Sequence, residues 1–451
     1  MTDMDTPAAP EAFRLARVSR ARTVHRDKRP RWAELASQAA FVVLMILCMS
    51  APWVTDEVDS ALKQFRQIGY LTVLLTAIVS LRPWRNPQAL LVVPWPLLLA
   101  LGWCWFSLTW ALYPAAGLRR LVLTTIVAWS LLALVREIAV NRMINILHVL
   151  LAALLATNYL AVFLFPAIGL DPNNYDGVTN LWRGVMGQKN FVGFACAITA
   201  IMFSLGAGFP AWNSSAGRRL LIVRVFVVVA AVIFLLQSES KTSIGIGVFA
   251  ILIGALFTYL ATVKGQRRLA APGWAWIAIV PFAIVCVGMA IDATPYLDMI
   301  SDPAAFTGRT QIWTGLIKAY VEQPLLGVGY GSLWDVGPDG PMTLYAKNWA
   351  SRVSQGHNGY LDMLVQVGAI GLLLILFAVL VWPLQRLLRG GDHPARVLGA
   401  AMLFFSLGHN FTESSLFDRD GQGQVFLMIA IALLWKTTAA VATVEGSRRP
   451  A

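Results

Sequence analysis

His357 is the residue of this sequence that is best placed to act as a general base. It lies in the segment Gln-Gly-His-Asn-Gly-Tyr-Leu, where a long polar stretch ends and an apolar run begins. An imidazole can accept a proton near neutral pH, which makes it suited to activating a hydroxyl group. A lone histidine can also be a hydrogen-bonded structural residue, and spacing alone favours that interpretation. The other four histidines lie in polar segments assigned below to the cytoplasm, within an apolar run, or at the end of one (His25, His393, His148 and His409).

Four basic residues next to apolar runs could bind an anion such as a phosphate. Arg183 and Lys189 precede one run together with two glycines, and the N–H groups at a helix entrance favour negative charge. Lys241 lies among hydroxyl groups in the sequence Ser-Glu-Ser-Lys-Thr-Ser, and a lysine acts on phosphate as a point charge. Arg309 offers a planar fork that can grip a diphosphate with two parallel hydrogen bonds.

Each of these cations also has a simpler interpretation. Residues next to apolar runs can snorkel to the phosphates of lipid headgroups. Lys241 could instead pair with Glu239, and Arg309 could pair with Asp302. The residue types and spacing leave these alternatives open.

Patterns typical of metal, nucleotide or serine hydrolase sites do not occur in the sequence. CxxC, HExxH, GxxxxGK[ST] and GxSxG are all absent, and the four cysteines fall in apolar stretches as small hydrophobic residues. Asp171 and Asp176 flank two asparagines, but loops of this composition are common turns. We therefore predict no metal site and no cofactor.

These residues belong to a chain that lacks the polar surface of a soluble protein. Of its 451 residues, 57% are hydrophobic and 13% are charged, with a mean hydropathy of +0.63, whereas soluble domains carry about 25% charged residues. A membrane-spanning helix needs about 20 mainly apolar residues. On this criterion we predict an all-α polytopic membrane protein with twelve spans, at 33–53, 67–81, 89–111, 121–135, 143–168, 190–209, 220–237, 243–262, 273–293, 358–383, 396–410 and 422–440.

The distribution of basic residues predicts the orientation of these spans. Most of the 36 Lys and Arg residues fall in the N-terminal tail and in alternate connections, which the positive-inside rule assigns to the cytoplasm. The net charge of +12 therefore indicates topology and not nucleic-acid binding. The first apolar run is predicted to remain as a spanning helix and not to be a cleaved signal. Both termini are then cytoplasmic, and His357 lies on the outer side with the four cations.

This topology divides the chain into five predicted segments. They are a basic cytoplasmic tail (1–32), spans one to nine (33–293), a large outer loop (294–357), spans ten to twelve (358–440) and a second cytoplasmic tail (441–451).

Taken together, the outer motifs resemble those of the bacterial O-antigen ligase and polysaccharide polymerase superfamily. The motifs are W-R-G-x-x-G-x-K-N, S-x-S-K-T, G-R-T-x-I-W, H-N-G-Y-L-D and N-x-T-E-S, in that order. The resemblance covers residues 33–440, and its specific part is 181–415. Each motif alone is weak, but their order, spacing and common side make the set specific.

This resemblance implies a C-type glycosyltransferase of the bacterial inner membrane, which is inverting, needs no metal and has its active site facing the periplasm. Such an enzyme moves a glycan from undecaprenyl diphosphate to an acceptor hydroxyl, and a flippase and a chain-length regulator are expected partners. By their match to the family motifs, His357 would activate the acceptor and Arg183 and Arg309 would hold the diphosphate. The remaining matched residues are Lys189 and Lys241 for diphosphate binding, and Asn190, Asn358, Tyr360 and Glu413 in supporting positions.

Two alternative functions remain open at this point. A ligase would use lipid A–core as its acceptor, whereas a polymerase would use another lipid-linked repeat unit. The residues of the motifs are more similar to those of exopolysaccharide polymerases. Twelve spans with both ends inside also suit a secondary transporter, although a transporter usually carries ionisable groups near the bilayer midplane. Here the basic residues of interest gather at one face, which favours the enzyme.

Overall fold

The computed structural model describes residues 30–50, 60–172, 180–205, 214–263, 308–337, 340–346, 348–389 and 394–446. Their secondary structure is helical apart from an isolated antiparallel bridge between Leu170 and Trp182, which confirms the predicted all-α class. The helices are α1 (Arg31–Met49), α2 (Ser60–Leu81), α3 (Trp95–Ser107), α4 (Pro114–Glu137), α5 (Val140–Leu164), α6 (Pro166–Gly169), α7 (Lys189–Leu205), α8 (Ser215–Gln237), α9 (Lys241–Val263), α10 (Arg309–Glu322), α11 (Met342–Tyr345), α12 (Gly359–Leu376), α13 (Trp382–Arg389), α14 (Pro394–His409) and α15 (Gln422–Gly446). A π-helical turn, Phe377–Val381, joins α12 to α13.

Six helical segments of the described residues are long and apolar enough to cross a membrane. They are Arg31–Met49, Leu62–Leu81, Pro114–Glu137, Val140–Leu164, Ser215–Gln237 and Gly359–Leu388. Four shorter apolar helices accompany them: Trp95–Ser107, Lys189–Leu205, Lys241–Gly254 and Ala395–His409. The chain is thus a multi-pass membrane protein.

Eleven of the twelve predicted spans coincide with described helices, but the count of twelve, the orientation and the division into five segments remain predictions. The predicted span 273–293 lies outside the described residues, as do most of the N-terminal tail, the last five residues of the C-terminal tail and the first part of the outer loop.

The third predicted span, 89–111, is shorter in the structure than the apolar run suggested. A 3₁₀ helix, Pro87–Leu90, comes first, and α3 begins only at Trp95. Pro94 and Pro96 account for this difference, because a residue before proline avoids the helical region while proline itself suits the first helical turn. Hydropathy marks the apolar segment but does not register where prolines interrupt the helix.

The protein interior is built around α14 and α15, which pack along each other. The described side chains of α14 and α15, at 395–409 and 422–438, are largely buried, and α14 also packs against α9, while α7 packs against α8. On α8, by contrast, large apolar side chains such as Ile222 and Phe226 are exposed. Apolar surface that faces outward in this way is expected where lipid is the solvent.

A glycine-rich connection fixes α10 against α12. The backbone N–H of Val328 donates to Val365 O at 2.9 Å, and the N–H of Ala369 donates to Pro324 O at 2.8 Å. Gly327 has a φ of +69°, and a Cβ added there would lie 2.6 Å from the backbone of α12. The sequence Gly-Val-Gly-Tyr-Gly of this connection therefore allows a close backbone approach. This contact sets the position of α10 beside α12. Arg309 is the first residue of α10, and His357 lies just before α12.

Candidate active site

The buried carboxylate of Glu413 joins four segments of the chain. Its Oε1 accepts hydrogen bonds from Arg309 Nη2 at 2.5 Å and from Asn190 Nδ2 at 2.7 Å. Its Oε2 lies 3.1 Å from His357 Nδ1. Glu413 is 5% exposed, so a charge there requires such partners. We call these four residues the Glu413 cluster.

The segment 410–421, between α14 and α15, holds Glu413 in place through its own backbone. Arg309 Nη1 donates to Thr412 O at 2.5 Å, so one guanidinium bonds both the backbone and the carboxylate of this segment. The N–H of Gly359 donates to Glu413 O at 3.1 Å and to Asn410 O at 2.9 Å. Glu413 therefore cannot move without disturbing the start of α12.

His357 is held by the turn that begins α12. The Asn358 side chain caps the helix, accepting hydrogen bonds from the N–H groups of Tyr360 and Leu361, each at 3.1 Å. The buried Asp362 carboxylate accepts from Gly356 N at 3.1 Å. His357 itself has a φ of +49°, a left-handed conformation that is uncommon outside glycine. Such backbone strain persists where surrounding contacts hold it in place, and it is frequent at functional sites.

The contact with Glu413 assigns the tautomer of His357. An ionised carboxylate can only accept hydrogen bonds, so the proton of the neutral imidazole lies on Nδ1. Nε2 then carries the free lone pair. The side chain of His357 is 24% exposed, so a reactant can reach it.

Opposing effects act on the ionisation of Glu413. Burial alone would raise the pKa of its carboxyl group, but the hydrogen bond with His357, the charge that His357 carries when protonated and the positive charge of Arg309 lower the pKa below its ordinary value. The carboxylate is thus ionised at neutral pH, and the cluster is held by charge.

Three of the predicted cations are the first residues of helices. Lys189 begins α7, Lys241 begins α9 and Arg309 begins α10. A positive side chain next to the positive end of a helix dipole is unfavourable unless negative charge is also present. The Glu413 cluster brings the N-termini of α7, α10 and α12 together, and a 2.7 Å contact between Thr242 and Thr412 hydroxyls adds that of α9. Convergent helix N-termini bearing cations provide a setting for an anion larger than one carboxylate.

Arg183 lies apart from the Glu413 cluster. Its Nε donates to Ile168 O at 3.1 Å and its Nη2 to Ala167 O at 3.4 Å, so it caps the short helix α6. Among the described residues, no hydrogen bond links Arg183 to Arg309 or Glu413. The pairing of Arg309 with Asp302 that the sequence left open involves a residue outside the described ranges.

The supporting residues have separate structural roles. Asn190 belongs to the Glu413 cluster and Asn358 caps α12, whereas the hydroxyl of Tyr360 donates to Leu407 O at 2.7 Å and so ties α12 to α14. Lys241 is exposed. In the described part of the chain there is no group of three or more His, Cys, Asp or Glu that could hold a metal ion.

Sequence reasoning missed several residues that surround this site. Asp362 ends the motif H-N-G-Y-L-D, but nothing in the sequence indicated that its carboxylate accepts a hydrogen bond from the backbone N–H of Gly356. Ser240 and Ser243 were noted only as hydroxyls around Lys241, although they lie between Asn190 and His409. His409 was assigned only to the end of an apolar run.

Comparison with known proteins gives two matches. A family model described as O-antigen ligase matches residues 225–376, about a third of the chain, including Arg309 and His357. The exopolysaccharide production protein ExoQ of Rhizobium meliloti (strain 1021) is 27% identical over 257 residues. That alignment covers 54% of this chain and 54% of ExoQ, so the chain spans about half the length of this relative. The two matches support the O-antigen ligase and polysaccharide polymerase superfamily that the motifs predicted.

Proposed function

We propose that this protein is an inner-membrane glycosyltransferase that moves a glycan from undecaprenyl diphosphate to an acceptor hydroxyl at the periplasmic face. The observation that carries this proposal is the Glu413 cluster, where a histidine with a free Nε2 and an arginine share one buried carboxylate beside convergent helix N-termini. A hydroxyl nucleophile requires a base, which the histidine provides. An anionic leaving group requires a positive charge, which the arginine provides.

His357 acts as the general base. The acceptor hydroxyl oxygen forms a bond to the anomeric carbon of the donor while its proton passes to Nε2 of His357. Glu413 holds the imidazole in the required tautomer and stabilises the imidazolium that forms, as a carboxylate does in a catalytic triad. Attack from the face opposite the leaving group inverts the configuration of the sugar.

The cations stabilise the leaving group. As the bond from the anomeric carbon to the phosphate oxygen breaks, undecaprenyl diphosphate departs with the electron pair, and the growing negative charge needs fixed positive groups. Arg309 and Lys241 stand at helix N-termini where this charge would develop, Lys189 accompanies them, and Arg183 binds farther along the lipid-linked donor. Fixed side-chain cations take the role that a metal ion plays in other transferases.

The acceptor favoured by the comparisons is a further lipid-linked repeat unit. The relative is named for exopolysaccharide production, which supports polymerisation. The second candidate is ligation to lipid A–core, since the matching family model is described as O-antigen ligase. The residues of the motifs resemble those of polymerases more than those of ligases.

Reconstitution distinguishes the candidates. Purified protein in liposomes receives undecaprenyl-diphosphate-linked repeat units, either alone or with lipid A–core, and the products are separated by size. Longer lipid-linked glycans from repeat units alone support the polymerase. Glycan found only on lipid A–core indicates the ligase, and no transfer to either acceptor contradicts the proposed function.

The metal-independent step has its own test in the same assay. We expect turnover to persist in EDTA, because Arg and Lys side chains provide the positive charge. Activity that requires added Mg²⁺ would contradict this part of the proposal. Solute uptake by the same liposomes, abolished by a substitution near the midplane and unaffected by His357→Ala, would indicate a transporter instead.

A further inference from the structure

A second histidine is buried directly behind the Glu413 cluster. His409, the last residue of α14, is 4% exposed. Its ring packs against Phe194 and Phe405, with centroid distances of 5.1 and 5.6 Å. Nε2 lies 3.1 Å from Ser243 Oγ, whereas Nδ1 is buried and has no hydrogen-bond partner in the described part of the chain. The proposed reaction makes no use of this residue.

A chain of polar contacts joins His409 to the Glu413 cluster. Ser243 Oγ lies 2.9 Å from Ser240 Oγ, and Ser240 Oγ lies 3.5 Å from Asn190 Oδ1. The other end of the Asn190 amide, Nδ2, donates to Glu413. Gly193 permits this approach of α7 to α9, because a Cβ there would lie 2.3 Å from Ser240 Cβ.

The carboxylate fixes the direction of the hydrogen bonds in this chain. Since Glu413 only accepts, Asn190 presents its NH₂ group to Glu413 and its oxygen to Ser240. Ser240 has a single hydroxyl proton, which it directs to the Asn190 oxygen and, at the shorter distance, to Ser243 Oγ. Ser243 Oγ has two lone pairs, so it can accept from Ser240 and also from Nε2–H of His409.

The surroundings of His409, at the far end of these contacts, agree with Nε2–H as the donor to Ser243. When the proton is on Nε2 of His409, the unpaired Nδ1 is a lone pair and not an N–H group. The opposite tautomer would bury an unpaired donor, and the imidazolium would bury a charge among aromatic rings. Both alternatives cost more, so the neutral Nε2–H form satisfies the whole chain.

We propose that His409 is a positioning residue for the transfer reaction. Through Ser243 and Ser240 it holds the oxygen end of the Asn190 amide, so that Asn190 is fixed at both ends and keeps the Glu413 carboxylate aligned with His357. This inference rests on the proposed function, because it concerns how the base of that reaction is oriented.

Two substitutions of His409 separate its hydrogen bond from its packing. His409→Phe keeps an aromatic ring and removes the donor, whereas His409→Gln keeps an N–H group near the position of Nε2. With full-length protein in liposomes, we expect His409→Phe to lower kcat by up to about 10²-fold, because small misalignment of a reacting group has effects of this size. The KM for the lipid-linked donor stays constant, and His409→Gln restores most of the rate. His148→Phe is the matched control, since His148 lies in α5 and bonds Met202 O.

The pH dependence of kcat provides a readout that a purely structural role would not change. A misaligned Glu413 stabilises the imidazolium of His357 less, so the acid limb of the kcat profile moves to lower pH in His409→Phe. In His409→Gln and His148→Phe the limb stays at its wild-type position.

Unchanged kcat and an unchanged pH profile in folded His409→Phe would overturn the positioning role. If His409→Phe does not fold, Ser243→Ala decides, because it interrupts the same chain and leaves the histidine in place: a lowered kcat supports the proposal and a wild-type kcat contradicts it. His357→Ala separates the two levels of inference. An active His357→Ala overturns the assignment of the base itself, whereas an inactive one beside a fully active Ser243→Ala overturns only the role of His409.

Discussion

The two ends of the segment 410–421 each contain a buried ion pair, but the two pairs differ in what they leave available. At one end, Glu413 binds Arg309 and His357, whose Nε2 carries the lone pair of the neutral imidazole. At the other end, Asp420 forms an ion pair with Arg66 and accepts a hydrogen bond from the Tyr70 hydroxyl. We call these last three residues the Asp420 cluster.

The Asp420 cluster has the features of a structural link. Arg66 and Tyr70 both belong to α2, and Arg66 also donates to the Tyr70 hydroxyl at 3.2 Å. The cluster joins α2 to the start of α15 and includes no histidine. A buried ion pair alone does not indicate catalysis, and the difference here is the presence of a half-buried base.

His357→Ala should produce the largest difference between the two clusters. Removing the base is expected to lower kcat by about 10²–10⁴-fold, because the acceptor proton then has no recipient. The protein should still insert into membranes and unfold at nearly the wild-type temperature. Tyr70→Phe is the matched control in the Asp420 cluster and should leave kcat unchanged. Wild-type turnover by reconstituted His357→Ala would contradict the assignment.

Asp420→Asn should have the opposite effect. It leaves the Arg66 charge buried without its partner, which typically costs about 3–5 kcal/mol. We expect a clearly lower temperature of thermal unfolding in detergent, while kcat per folded molecule stays at the wild-type value. A strong loss of kcat in the folded variant would place Asp420 in the reaction and remove the distinction between the clusters.

Arg309→Lys tests the arginine of the Glu413 cluster. Lysine keeps the charge but loses the planar fork that can grip both the segment 410–421 and a diphosphate. We expect binding of undecaprenyl diphosphate to weaken by about tenfold, or ~1.4 kcal/mol. Arg419→Lys, at an exposed arginine of the same segment, serves as the control. Equal affinity in Arg309→Lys and wild type would show that the fork is not used.

The smallest expected effect is on the pH dependence of stability. Because the pKa of Glu413 is lowered in the folded protein, its stabilising contribution is complete above the ordinary pKa of 4.5 and is lost as the pH falls through the lowered value. The difference in unfolding temperature between wild type and Glu413→Gln should therefore shrink on acidification. Glu34→Gln, at an exposed site in α1, should show no such trend. If the difference in unfolding temperature between wild type and Glu413→Gln stays constant down to the most acidic pH measured, Glu413 is not charged in the folded protein.

The fold could be anticipated from the sequence to the extent that one-dimensional patterns determine it. Apolar length located most of the described helices, and the failure at 89–111 follows from Pro94 and Pro96, which hydropathy does not register. Arg309 and His357 were identified as candidates because their residue types and sidedness are visible in the chain.

The contacts that define the site could not be anticipated in the same way. Glu413 lies 104 residues from Arg309 and 223 from Asn190, and its motif indicated only a supporting position. Arg183 and Arg309 shared a predicted role but occupy different surroundings, since one caps α6 and the other binds Glu413. Such distinctions arise from packing between helices that are distant in the chain.

The length of α3 also matters for the lipid around the protein. This apolar helix has 13 residues, which correspond to about 20 Å at 1.5 Å per residue, less than the ~30 Å hydrocarbon thickness of a typical bilayer. Its side chains Leu98 and Leu99 are exposed, so the helix meets lipid directly on that side. A shortfall of this kind thins the surrounding bilayer. We therefore expect the lipid beside α3 to be thinner than the lipid beside α5, which has 25 residues.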